Sequence, residues 1–178
     1  LNAKQAPARQ RIWDPFVRVF HWSLVGSYVL AWTTAEEWDL LHERLGWFVL
    51  ALLGLRLAWG LIGTRHARFG DFVRGPGRVK SYLGSLLRGD PEHHAGHNPA
   101  AGWMVLALIV TLAATALSGV LITGGGEAWE DLHEGLANLS LVLVAVHVSG
   151  VLVSSFLHRE NLVKTMLTGD KPGRNVDV

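Results

Sequence analysis

Four apolar stretches, each close to the length of a membrane-crossing helix, constrain this chain more than any other feature. A helix needs about 20 predominantly apolar residues to cross roughly 30 Å of hydrocarbon. Such stretches run from about Phe16 to Thr34, His42 to Gly63, Gly102 to Thr123 and His133 to Leu157. The first is the least apolar, because Arg18 and His21 lie near its start. It is also too long for the core of a cleavable signal peptide and has no small-residue cleavage pattern. Charged residues are only 17% of the chain, against roughly 25% in soluble domains. That is too little charge to cover a soluble surface. Eight tryptophans suit membrane interfaces. The expected fold is therefore all-α: an integral-membrane four-helix bundle within one domain, residues 1–169, followed by a disordered tail at 170–178. A short helix near Val79–Leu87 is expected between the second and third spans.

Charge sets the orientation. Lys4, Arg9, Arg11 and Arg18 precede or open the first span. Arg65, Arg68, Arg74, Arg78, Lys80 and Arg88 fall between spans two and three, and Arg159, Lys164, Lys171 and Arg174 follow span four. Fourteen of sixteen basic residues thus share one side, leaving Arg44 opposite and Arg56 within span two. The positive-inside rule places both termini in the cytoplasm. The opposite, outer loops are acidic, with Glu36, Glu37, Asp39 and Glu43 at the first and Glu127, Glu130, Asp131 and Glu134 at the second.

The chemistry rests on histidine. With no cysteine, disulfides, thiolate zinc sites, iron–sulfur clusters and covalently attached c-type haem are excluded. A net charge of +1 marks no nucleic-acid binder. Ionisable groups at membrane depth are costly and mark function, and four histidines qualify: His21, His42, His133 and His147. His133 and His147 are fourteen residues apart, a rise of about 21 Å over almost four turns, so they share one helix face at two depths. His42 opens its span at the outer level of His133, and His21 lies at the inner level of His147. Two bis-histidine sites, His42/His133 outside and His21/His147 inside, would stack across the bundle, where cofactors are held by facing helices. With both axial positions filled, the natural occupant of each is a six-coordinate haem b. A zinc site would need carboxylates at the same depth; Glu43 and Glu134 neighbour the outer pair, and the inner pair has none. A haem-free scaffold or ion transporter using these groups leaves the matched depths unexplained.

Haem propionates need cations. Arg56 follows His42 by fourteen residues on the same face, at the inner level. It either meets an inner propionate or reaches the interface as a helix-end cation. Arg18, one turn from His21, either does the same or snorkels to the headgroups. Gly46, one turn from His42, either admits a flat ring against the backbone or serves helix packing.

The ordered set Arg18-Val-Phe-His21-Trp22, His42-x3-Gly46, Leu55-Arg56-Leu-Ala-Trp59-Gly60, Arg68-Phe69-Gly-Asp71-Phe72, Gly96-His97-Asn98-Pro99, His133-Glu134 and His147-Val-Ser-Gly150 resembles bacterial cytochrome b561 proteins. It most resembles the b-type cytochrome subunits of nickel–iron hydrogenases and their stand-alone relatives. The resemblance runs from about Trp13 to Gly169. It implies a four-helix core in the bacterial inner membrane, two b haems ligated by His21, His42, His133 and His147, and electron exchange with the quinone pool, ubiquinone or menaquinone. His97, Asn98 and Arg56 are then candidates to meet a quinone at the inner interface. The alternative for Gly-His-Asn-Pro is a cap and turn leading into span three. His93, His94 and His97 read as a solvated loop rather than a metal site, and His66 and His158 as headgroup contacts.

The implied function is transmembrane electron transfer between quinone and a periplasmic partner, a c-type cytochrome or an oxidoreductase such as hydrogenase. That partner would dock on the acidic outer loops. The alternative implied by the stand-alone relatives is a superoxide:quinone oxidoreductase acting alone. Whether the chain is an enzyme or a subunit, and whether it forms homo- or hetero-oligomers in the lipid, stays open.

Overall fold

The computed structural model describes residues 10–88, 96–122 and 124–171. It is helical except for one short strand pair. In chain order the elements are β1 (Gln10–Arg11), α1 (Pro15–Thr34), α2 (Asp39–Ile62), α3 (Phe69–Phe72), α4 (Pro76–Leu87), α5 (Pro99–Ile122), α6 (Glu127–His158), α7 (Leu162–Thr168) and β2 (Asp170–Lys171). Local signals set several ends. Asp14 caps α1, its Oδ1 accepting from the Val17 amide at 2.9 Å, with Pro15 in the first turn. Proline is tolerated there because its missing N–H had no helical partner. Asn161 caps α7 in the same way. The turn from α5 to α6 passes through Gly125 and Gly126 at φ 101° and 127°, a backbone region that penalises any side chain.

Among the described residues three helices, α2, α5 and α6, are long and apolar enough to cross a membrane. The fourth expected span, α1, has the length, at 20 residues, but Arg18, His21 and its hydroxyl and aromatic residues lower its hydropathy. The expected short helix is α4. The largest difference is at α6, which starts six residues before the expected span. Glu127, Glu130, Asp131 and Glu134 therefore lie on its first turns and not on a loop. Asp39 and Glu43 likewise lie on the first turns of α2. Carboxylates are favourable there because unpaired N–H groups give a helix N-terminus a partial positive charge. Thr123, His93, His94 and residues 172–178 lie outside the described residues. Asp170 and Lys171, expected in the tail, instead pair with Arg11 and Gln10 in an antiparallel bridge.

Phe20 of α1, Val49 and Leu53 of α2, and Ile109 and Leu112 of α5 form the buried centre of the core. Along the row α1–α2–α5–α6, each helix packs on its neighbour, most extensively α5 on α6. No comparable backbone packing joins α6 to α1 or α2, and Ser140 is the one fully buried α6 side chain among the described residues. Lipid is as apolar as leucine, so no hydrophobic collapse forces this face shut. His133 and His147 stand on this helix, whose backbone packs closely on α5 but not on α1 or α2. A second cluster (Ile12, Trp13, Val17 and Ala67, with Met166 against it) joins the chain ends beneath α1.

Candidate functional site: two histidine levels

At the level that the charge pattern leads one to expect outside, called the outer level below, His42 and His133 face each other, ring centroids 6.0 Å apart and planes at 81°. Each ring is held from behind. His42 Nδ1 donates to the Ala31 carbonyl at 2.9 Å, and His133 Nδ1 donates to the Thr115 carbonyl at 2.8 Å. A carbonyl only accepts, so both protons sit on Nδ1 and both Nε2 lone pairs are left for a ligand. This second shell is what orients metal-bound histidines. Two imidazole–metal bonds of about 2 Å, plus two ring radii, require a centroid separation of roughly 6 Å, and the observed spacing meets it. Gly119 provides the clearance: a Cβ there would stand 3.0 Å from His133 Cε1. Ser118 Oγ lies 3.2 Å from His133 Nδ1. A Cβ at Gly46 would meet nothing within 4 Å, so this glycine borders open space and does not serve a tight helix contact.

Between the levels, Tyr28 of α1 and Ser140 of α6 share a hydrogen bond of 3.0 Å. Ser140 is seven residues from both His133 and His147, about 10 Å of rise from each.

At the inner level His21 and His147 lie within electrostatic range of each other. Here the polar groups are not satisfied. Among the described residues, the buried side-chain nitrogens and oxygens without a partner are Arg18 Nε, His21 Nδ1, Arg56 Nη1 and His97 Nδ1. Buried polar groups nearly always have partners, and exceptions call for an explanation. Arg56 is 3% exposed, donates to the Ala67 carbonyl at 3.0 Å and lies 4.8 Å from the centre of the Phe69 ring. It forms no ion pair among the described residues, so the helix-end reading does not hold; the guanidinium stays inside. A buried cation of this kind is costly without an anion in contact; the Asp14 carboxylate lies within electrostatic range without pairing, and haem propionates are anions. Arg18 takes neither expected course in full, because it donates to the Leu167 carbonyl at the end of α7.

His97 stands beside this level, 4.7 Å from Trp13 and 4.4 Å from Phe72 between ring centres. Burial, and then the charge of Arg56 and the nearby His147, His66 and His21, push its pKa down to about 3. It is therefore neutral at physiological pH. Asn98 is used differently from the quinone reading: its Oδ1 accepts from the Ala101 amide at 2.8 Å, so it caps α5 as the cap-and-turn alternative requires. His158 donates to the Ser154 carbonyl of its own helix instead of reaching for headgroups. His66 lines a cleft of about 300 Å³ with Arg65, Asp71, Arg74 and His97.

Sequence reasoning did not find Gly119, Ser118, Tyr28 or Ser140. Small and hydroxyl residues are common in membrane helices and carry no signal on their own. The eight outer carboxylates are all exposed, and none forms an ion pair among the described residues. Among the described residues no group of three or more His, Asp or Glu side chains converges to hold a bare metal ion, whereas a bis-histidine haem asks for two. The family model for prokaryotic cytochrome b561 matches residues 12–169. No curated protein and no solved structure matches the chain.

Proposed function

The chain belongs to the prokaryotic cytochrome b561 family, integral-membrane b-type cytochromes of electron transfer, and on that premise we propose a finer reading. It is a four-span dihaem cytochrome of the bacterial inner membrane, with both termini cytoplasmic. It carries electrons between a periplasmic redox partner and the quinone pool.

The observation that carries this reading is the outer pair. His42 and His133 are spaced for one iron between them, with both Nδ1 atoms committed to carbonyls. Haem b bound there supplies a one-electron iron centre. His42 and His133 would hold it through their free Nε2 atoms, a bis-histidine set that favours electron transfer over oxygen binding. His21 and His147 would hold a second haem at the inner level. Arg56 offers its unpartnered Nη1 to a propionate, and Arg18 offers Nε. His97, neutral and with Nδ1 unpartnered, offers a hydrogen bond to a quinone carbonyl of ubiquinone or menaquinone. The outer carboxylates present a negative field that would attract a basic c-type cytochrome or a periplasmic oxidoreductase such as hydrogenase, raising its on-rate. The same field disfavours a stand-alone superoxide:quinone oxidoreductase, because it repels an anionic substrate.

The test is a dithionite-reduced minus oxidised spectrum of the detergent-purified protein with a pyridine haemochrome count. Two low-spin b haems per chain are expected, falling to one in His42→Ala and in His21→Ala. One haem in the parent protein would mean that one histidine pair is misassigned. No haem after haem-replete expression would refute the reading.

A further inference from the structure

Two adjacent clefts at the basic end of the molecule enter the electron-transfer reading only through His97, which lines the first. The first, about 300 Å³, is polar and carries Arg65, His66, Asp71, Arg74 and His97 on its walls. Asp71 is already neutralised, its Oδ2 accepting from Arg68 Nε at 2.8 Å. Arg65 and Arg74 form no ion pair among the described residues, so the cleft keeps an excess of positive charge. The second, about 560 Å³, is an apolar groove between α4 and the start of α5, lined by Pro76, Val79, Lys80, Leu83, Gly84 and Trp103.

The two are neighbours by construction. Pro99 borders the first and Trp103 the second; four residues apart on α5, they share one helix face. Trp103 Nε1 donates to the Arg74 carbonyl at 2.8 Å, so one strut stands between an arginine of the polar cleft and the floor of the apolar groove. A cationic recess therefore opens beside an apolar trough, next to a basic helix that carries Arg78 and Lys80. Leu83 in that trough is 47% exposed.

We propose that this pair of clefts is a binding site for one anionic phospholipid, its phosphate in the Arg65–Arg74 cleft and an acyl chain along the groove between α4 and Trp103. A quinone also joins a polar head to an apolar tail, but its carbonyls are neutral. Two unpaired arginines favour a full negative charge.

The haem-loaded protein in detergent, titrated with dioleoyl-phosphatidylglycerol or dioleoyl-phosphatidylcholine, tests this by thermal unfolding and by native mass spectrometry of retained lipid. The anionic lipid is expected to raise Tm more than the zwitterionic one and to remain bound at one copy per chain. The Arg65→Gln/Arg74→Gln variant is expected to lose this preference, and Leu83→Gln to weaken it; Arg78→Gln, at a charge outside both clefts, is expected to keep it. The arginines are exposed, so their removal costs the fold little, and an unchanged helical circular-dichroism signal checks this. Equal effects of the two lipids, or a preference surviving in the double variant, would overturn the site. So would displacement of the lipid by decylubiquinone. Inorganic phosphate alone reproducing the full effect would overturn the role of the groove.

Discussion

Gly119→Ala tests the outer ligand pair through a residue that is not itself a ligand. A Cβ at this position would lie 3.0 Å from His133 Cε1 and 3.2 Å from Nδ1. Non-bonded carbons settle at about 3.5–4.0 Å, so the ring must retreat by roughly 0.5–1 Å. It has little freedom to do so while its Nδ1 stays 2.8 Å from the Thr115 carbonyl and 3.2 Å from Ser118 Oγ. Overpacking costs about 1–3 kcal/mol, and replacing glycine in a helix returns about 1 kcal/mol, so the fold should survive. The ligand should not, because metal–ligand distances tolerate only about 0.2 Å and a disturbed second shell weakens metal affinity by about 10–100-fold. The pyridine haemochrome count is expected to fall from two towards one per chain, with one component lost from the redox titration. Gly54→Ala, where a Cβ meets nothing within 4 Å, provides the helix-propensity control. Two haems at unchanged potentials in Gly119→Ala would refute the argument that His133 is a fixed ligand.

Arg56→Met should behave oppositely in the two forms of the protein. Without haem it loses a charged hydrogen bond of about 1.5–3 kcal/mol but relieves a buried cation costing several kcal/mol, so Tm holds or rises. With haem it strands a propionate, and haem retention should weaken by about 3–5 kcal/mol; equal loss in both forms would remove the propionate role. For Asp14, burial works to raise the pKa. Hydrogen bonds from Thr64, the Val17 amide and Trp59 outweigh it and hold the carboxyl below its ordinary 3.8. A depressed folded value means that the stabilisation is complete above the unfolded value and is lost as pH falls through the folded one. Urea unfolding from about pH 6 down to 3 should therefore show a shallower acid limb in Asp14→Asn than in the parent chain. Tyr28→Phe removes the hydroxyl that joins α1 to α6 while Ser140 keeps its bond to the Ala137 carbonyl. A loss of about 1 kcal/mol is expected, read as a lowered Tm; an unchanged Tm would show that this bond does not hold α6 in place.

Periodicity and length by themselves determined the helical class, the approximate helix ranges and the matching depths of His42 and His133. These properties follow from a fixed rise per residue and from the cost of polar groups in hydrocarbon, which act on the chain before any packing. Family membership was equally legible, because its motifs are local runs of residues. Tertiary structure alone decided where α6 begins, since the first two turns are acidic and look like a loop until they are seen at a helix N-terminus. It also decided the fates of residues whose sequence context allowed several. Arg18 found the end of α7, a contact 149 residues away in sequence, and Asn98 was taken by the α5 cap. Arg56 stayed inside under Phe69. Gly119 and Ser140 were invisible beforehand for the same reason: a small residue in an apolar helix acquires meaning only from the side chain that a different helix places against it.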